Sequence, residues 1–116
     1  MPDLITTVKI VPRSPQNTAE METLFDEMAA SAVKGPGVRL WAYFGGDDGS
    51  YRLLERFENP EAEMYRLTHL DQEKLGRLAE LAEFRDLEVL GETTPELETA
   101  LADFSPVYRQ YLTGVL

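Results

Sequence analysis

The stretch YRLLERFENPEAEMYRLTHLDQEKLGRL, Tyr51 to Leu78, decides how the rest of the chain is read. Its opening, Tyr51 to Phe57, is rich in aromatic and aliphatic side chains and predicts a strand. Asn59-Pro60 follows, a capping residue with proline at the first helical position, so a helix starts there. Ala62, Tyr65 and His69 fall at i, i+3 and i+7, on one side of that helix. Asp71 recaps a second helical segment after a slight break, and Leu75, Leu78, Ala79 and Ala82 form its apolar stripe. Gly76 lies inside this segment and weakens it by roughly 1 kcal/mol relative to alanine, which points to a close packing contact.

Immediately upstream, Val38 to Phe44 (VRLWAYF) reads as the hairpin partner of Tyr51 to Phe57, with the Gly/Asp-rich GGDDGS as the turn. With Phe44 opposite Tyr51, the cross-strand pairs are Ala42 with Leu53, Leu40 with Glu55, and Val38 with Phe57. Tyr51, Glu55 and Phe57 then share one face, assigned to the helices. Arg39, Trp41, Tyr43, Arg52, Leu54 and Arg56 share the other, and a slip of one residue regroups both. Further upstream, Asn17 to Lys34 predicts a helix with Asn17 and Glu20 as a capping box. Its buried stripe is Met21, Leu24, Phe25, Met28, Ala29 and Ala32, and Gly35 takes the left-handed stop. Leu4 to Val11 (LITTVKIV) is a β-branched strand ending at Pro12.

Downstream, Arg85 to Leu90 is a short strand with Leu87 and Val89 on one face. Thr94-Pro95 starts a short helix with Leu97, Ala100, Leu101 and Phe104 inward, and Val107 to Leu112 reads as a last strand. The order is βαββαβ followed by αβ. That places the chain in the α+β class as one ferredoxin-like domain, residues 1–116, with an added C-terminal helix and strand. A single such unit leaves one sheet face bare. The expected cover for Trp41, Tyr43 and Leu54 is a second copy about a two-fold axis, a homodimer to whose sheet the last strand could reach with Tyr108 and Tyr111.

Composition bounds the chemistry. With 116 residues the chain is long enough for a core, and it has no cysteine and a single histidine. Disulfides, thiolate sites and a Cys nucleophile are excluded, and a His-rich metal site cannot be built. The net charge of −10 repels nucleic-acid phosphates and anionic lipid. No apolar run is long enough to span a membrane, and no leader is apparent, so a soluble cytoplasmic protein is expected.

LLERF at Leu53–Phe57, ENPEA at Glu58–Ala62, and His69-Leu70 followed by Leu75 and Leu78 resemble the antibiotic biosynthesis monooxygenase family of dimeric α/β barrels. The resemblance implies a pocket between sheet and helices in each subunit, and a cofactor-independent monooxygenase acting on an aromatic phenol or quinol. The alternatives are a non-catalytic dimer that binds a small hydrophobic or aromatic ligand or serves as an interaction module, and, by fold analogy alone, an isomerase-like activity. Two departures stand out. Glu55 to His69 is about three residues longer than the family pattern, nearly one helical turn. The Asn, Trp and later His of haem-degrading members are replaced by Thr6/Thr7, Phe57 and, near Gly76/Arg77, no histidine. No cofactor or metal is expected. His69, the one side chain whose ordinary titration falls near neutrality, is the candidate catalytic base, by virtue of the family's His position. Trp41, Tyr51, Glu55 and Phe57 are the candidate substrate-binding residues. Trp41 and Tyr43 either pack in the dimer interface or stack on a flat substrate, with Arg39 or Arg52 holding an oxyanion. Glu55 on a buried face needs a partner, which an arginine or His69 could supply.

Overall fold

In a computed structural model, which describes residues 3–115, the strands are β1 (Leu4–Pro12), β2 (Val38–Gly45), β3 (Tyr51–Phe57), β4 (Ala82–Leu90) and β5 (Val107–Arg109). The helices are α1 (Thr18–Ala32), α2 (Pro60–Thr68), α3 (Gln72–Leu81) and α4 (Pro95–Leu101), with short 3-10 turns at Pro15–Asn17 and Ala102–Phe104. The sheet order is β2-β3-β1-β4-β5. The first four strands pair antiparallel, as a ferredoxin-like unit requires, and β5 adds parallel to β4 at the edge. The last strand thus docks on its own sheet, and it is shorter than Val107 to Leu112.

Local chemistry explains the starts of three helices. The side chain of Asn59 accepts from the Ala62 N–H, Asp71 from the N–H groups of Glu73 and Lys74, and Thr94 from that of Leu97. The start of α1 differs from the capping box expected there. Asn17 makes no cap bond; its Nδ2 donates instead to the Leu81 carbonyl at 3.0 Å, tying α1 to the end of α3. The turn after α1 also differs, because Gly37 rather than Gly35 takes the positive φ, at 72°. A Cβ on Gly37 would stand 2.7 Å from the Ala62 Cβ, so this glycine lets the loop lie against α2. Gly76 answers no such demand: a Cβ there meets nothing within 4 Å, and the close contact expected at that position is absent.

In β1, Leu4, Thr6, Val8 and Ile10 are buried against the helices, while Ile5, Thr7, Lys9 and Val11 are part-exposed on the opposite face. Met21, Leu24, Phe25, Met28 and Ala32 of α1 are buried as the stripe predicts. The other sheet face is open. Ala42, Leu54 and Leu90 lie on it among Arg52, Arg56 and Glu88, and Phe44 is 56% exposed.

The hairpin register departs from the expected one. Gly45, not Phe44, pairs with Tyr51, because the turn closes one residue later, with Gly46 N–H donating to the Ser50 carbonyl at 2.8 Å. Tyr43 therefore opposes Leu53 and Trp41 opposes Glu55. An extra residue at Arg39 makes a bulge, so that Val38 still pairs with Phe57 while Leu40 pairs with Arg56. Trp41 and Tyr43 thus move from the open face to the helix face. A second bulge lies in β4, where Asp86 has φ 53° and the pairing with β1 shifts. It brings both Phe84 and Leu87 to the helix side. The strand itself starts at Ala82, earlier than Arg85, because Ala82 to Phe84 pair with Ile10 to Pro12.

Candidate functional site

The two bulges shape a cavity of about 110 Å³ between the sheet and its helices. Its floor is sheet: Thr6 and Val8 from β1, Trp41 and Tyr43 from β2, Leu53 and Glu55 from β3. Glu63, Arg66 and Leu67 of α2 and Leu78 of α3 form the roof, and Phe104 stands at one end. The walls are mostly apolar. Four polar side chains interrupt them: Thr6, Glu55, Glu63 and Arg66. Among these, Thr6 is 3% exposed, Glu63 2% and Arg66 5%. Buried charges of this kind need partners, and here they are only partly supplied.

Thr6 is the cross-strand partner of Glu55, and its hydroxyl donates to Oε1 of Glu63. The two carboxylates therefore flank one threonine, one rising from the sheet and one descending from the helix. Arg66 donates through its terminal nitrogens to the carbonyls of Ser31 and His69, each at 3.4 Å. Its guanidinium carbon lies 5.8 Å from the Trp41 ring centroid, within cation–π range. Glu63 Oε2 and Arg66 Nε are buried with no hydrogen-bond partner among the described residues.

The environment holds protons on this cluster. Burial pushes the Glu63 carboxyl up to about 7, with the Thr6 hydrogen bond opposing. Burial, then the neighbouring charge of Glu63, pushes Glu55 well above its ordinary range, while Arg66 pulls it down. By area Glu55 is part-exposed, and it lines the cavity. Two carboxylates beside one guanidinium are neutral overall when they share one proton. Burial also pushes the Tyr43 hydroxyl up to about 12, and that oxygen accepts from Trp41 Nε1 at 3.1 Å. The arrangement can accept or donate a proton near neutral pH and present a fixed positive charge, among mostly apolar walls.

Of the residues expected from the sequence, Trp41 and Glu55 meet in this cavity as cross-strand partners. Phe57 is fully buried in the core and does not line it. Tyr51 lies outside it, edge-on to Phe25 at 5.1 Å with its hydroxyl donating to Glu22 at 2.6 Å. His69 is exposed and outside the cavity wall; its ring stacks on Tyr65 at 3.8 Å, and Nδ1 lies 2.8 Å from the Tyr65 carbonyl. The expectation of a histidine at the pocket wall is corrected on this geometry. The buried face of α2 is Ala62, Glu63 and Arg66, not Ala62, Tyr65 and His69. Arg39 and Arg52 also lie away from the cavity, Arg39 paired with Asp3 and Glu58, Arg52 donating to Thr7.

Glu63, Arg66 and Thr6 were the residues missed. Their signal was present: Glu63, Arg66, Leu67 and Leu70 follow i, i+3, i+4 and i+7, with two leucines marking that side. Among the described residues no cluster of three or more ligating side chains is placed to hold a metal ion, and no helix is long and apolar enough to cross a membrane.

No family model matches the chain, and no curated protein matches it in sequence. Solved structures do share its fold. MupZ from Pseudomonas fluorescens superposes with a TM-score of 0.84 at 15% identity, covering 100% of this chain and 95% of its own. SnoaB from Streptomyces nogalater, described as a cofactor-independent oxygenase, gives 0.67 at 16% identity, covering 81% of this chain and 96% of its own. A Bacteroides thetaiotaomicron chain assigned provisionally to the antibiotic biosynthesis monooxygenases gives 0.64 at 13% identity, covering 76% and 85%. The chain therefore has the ferredoxin-like fold found among the antibiotic biosynthesis monooxygenases.

Proposed function

We propose that the chain is a small cofactor-independent oxygenase acting on a hydrophobic phenol or quinol, with Glu63 as the base. The observation that carries this reading is a carboxylate with a partnerless oxygen, poised near neutrality, in an apolar cavity beside a buried arginine. The shared fold with SnoaB supports it. Glu63 takes the phenolic proton, and Arg66 stabilises the oxyanion left behind. The electron-rich ring then reduces oxygen: a carbon–oxygen bond forms to give a hydroperoxide, which loses water to leave a quinone. One oxygen atom enters the product and one leaves as water, so no external reductant is consumed. At about 110 Å³ the cavity is smaller than the roughly 150 Å³ apolar cavity that binds benzene, which sets a single ring as the upper size of the proposed guest.

Oxygen uptake on a panel of single-ring quinols tests the reading. Glu63→Gln is expected to lower turnover at least ~100-fold, the usual weight of a general base, while His69→Ala leaves it unchanged. Full turnover by Glu63→Gln overturns it. Ligand-dependent thermal stabilisation without oxygen uptake marks the non-catalytic binding alternative instead.

The open sheet face is proposed to bury itself in a second copy, giving a homodimer through Ile5, Leu40, Ala42, Phe44 and Leu54. Leu40 and Phe44 remain 37% and 56% exposed in the single chain, which supports a cover of this kind. Light scattering at micromolar concentration is expected to give twice the chain mass, and the mass of a single chain contradicts the pairing.

A further inference from the structure

The same four polar groups are arranged for more than deprotonation. Glu63 and Arg66 stand three residues apart on α2, so both project into the cavity from one helix face. One leaves an acceptor unpaired, Oε2, and the other a donor, Nε. Glu55 faces them from the sheet, with Thr6 between the two carboxylates. A guest is thus offered one donor and two carboxyls on opposite walls. The two acidic side chains against one guanidinium disfavour an anionic guest, and the apolar walls favour one without further polar groups.

We infer that this cavity catalyses an oxygen-independent proton shift on neutral, single-ring unsaturated ketones, Glu63 removing a proton beside the carbonyl, Arg66 receiving the carbonyl oxygen and Glu55 returning a proton two carbons away. The inference rests on reading the cavity as a proton-transfer site. The step balances without an oxidant. The α C–H bond breaks, its electron pair forms the dienolate, and the negative charge gathers on oxygen at Arg66 Nε. Protonation at the γ carbon by the carboxyl of Glu55 then gives the conjugated ketone. Glu63 ends protonated and Glu55 ionised, and their exchange across Thr6 or through solvent restores the starting state. The charge of the cluster is the same before and after turnover. A carboxyl kept neutral in an apolar site is a competent hydrogen-bond and proton donor at pH 7.

The test is anaerobic. Conversion of 3-cyclohexenone to 2-cyclohexenone is followed by ultraviolet absorbance, and α-hydrogen exchange of cyclohexanone in D2O by proton NMR. Quenching of the sole tryptophan, Trp41, by cyclohexanone verifies that each variant is folded with an intact cavity. The wild-type chain is expected to accelerate both reactions over buffer. Glu63→Gln is expected to lose at least ~100-fold in both. Glu55→Gln is expected to retain exchange and lose isomerisation, a split that a merely structural role does not produce. Absence of both reactions in a wild-type protein that consumes oxygen on quinols overturns this inference and leaves the oxygenase reading standing. Isomerisation without oxygen uptake supports it and sinks the oxygenase reading. Glu55→Gln isomerising at the wild-type rate overturns the assignment of Glu55 as donor.

Discussion

Replacing Glu63 by glutamine probes the buried carboxyl through stability, independently of any substrate. Glutamine keeps the shape and an oxygen to accept from Thr6, and it cannot ionise. The Glu63 carboxyl lies at about 7 in the folded chain against an ordinary value of 4.5. The sign follows directly. Below pH 4.5 the group is protonated in both states and contributes no difference. Between 4.5 and 7 the unfolded chain releases the proton and the folded chain keeps it, so folding weakens as pH rises. Each pH unit of that window is worth about 1.4 kcal/mol, so the loss levels off near 3 kcal/mol above pH 7. Glu63 is 2% exposed, so solvent screening does little to reduce this figure. The charged or titratable groups around it are Glu55 on β3, Arg66 on its own helix, and Tyr108 on β5, whose hydroxyl Glu63 helps to raise. Glu63→Gln is therefore expected to match wild type at pH 4 and to exceed it by roughly 3 kcal/mol at pH 8, about 10 °C in melting temperature for a chain of this size. Urea unfolding of both proteins from pH 4 to 8 measures the difference. A difference that stays flat across that range, or one in which wild type gains on the variant as pH rises, refutes the reasoning. The exposed carboxylates held low by Arg77, Ser50, Lys74, Arg85 and Arg109 cancel in this comparison, since both proteins carry them.

Two glycines make opposite predictions. Gly76→Ala, in an exposed helical position where a Cβ meets nothing, is expected to stabilise by about 0.5–1 kcal/mol in urea unfolding. Gly37→Ala, at φ 72° with Ala62 2.7 Å from the new Cβ, is expected to destabilise by more than about 1 kcal/mol in the same assay. Equal effects at both sites contradict the account of why each glycine is there.

The element order was legible because most of its signals are local. Asn59-Pro60, Asp71 and Thr94-Pro95 each start a helix through a side chain that bonds a backbone N–H two or three residues on, and that chemistry needs no tertiary context. The site was less legible, for two physical reasons. Strand parity assumes uninterrupted alternation, and the bulges at Arg39 and Asp86 break it, so that Trp41 turns inward and Phe84 faces the helices together with Leu87. Burial of a helix face is normally read from apolar residues, and here Glu63 and Arg66 occupy that face while Tyr65 is 41% exposed and stacks on His69. Charged groups in an apolar cavity break the local rule that buried helix faces are apolar. Residue type pointed to a histidine; burial pushes the Glu63 carboxyl up to about 7, which residue type alone does not show.

The central claim is that the Glu63 carboxyl titrates near neutral pH inside the cavity. Carbon-13 NMR titration of the glutamate side-chain carboxyls tests it most directly. The account predicts a resonance with a midpoint near 7 that is missing in Glu63→Gln. A full set of glutamate midpoints below 5 contradicts it.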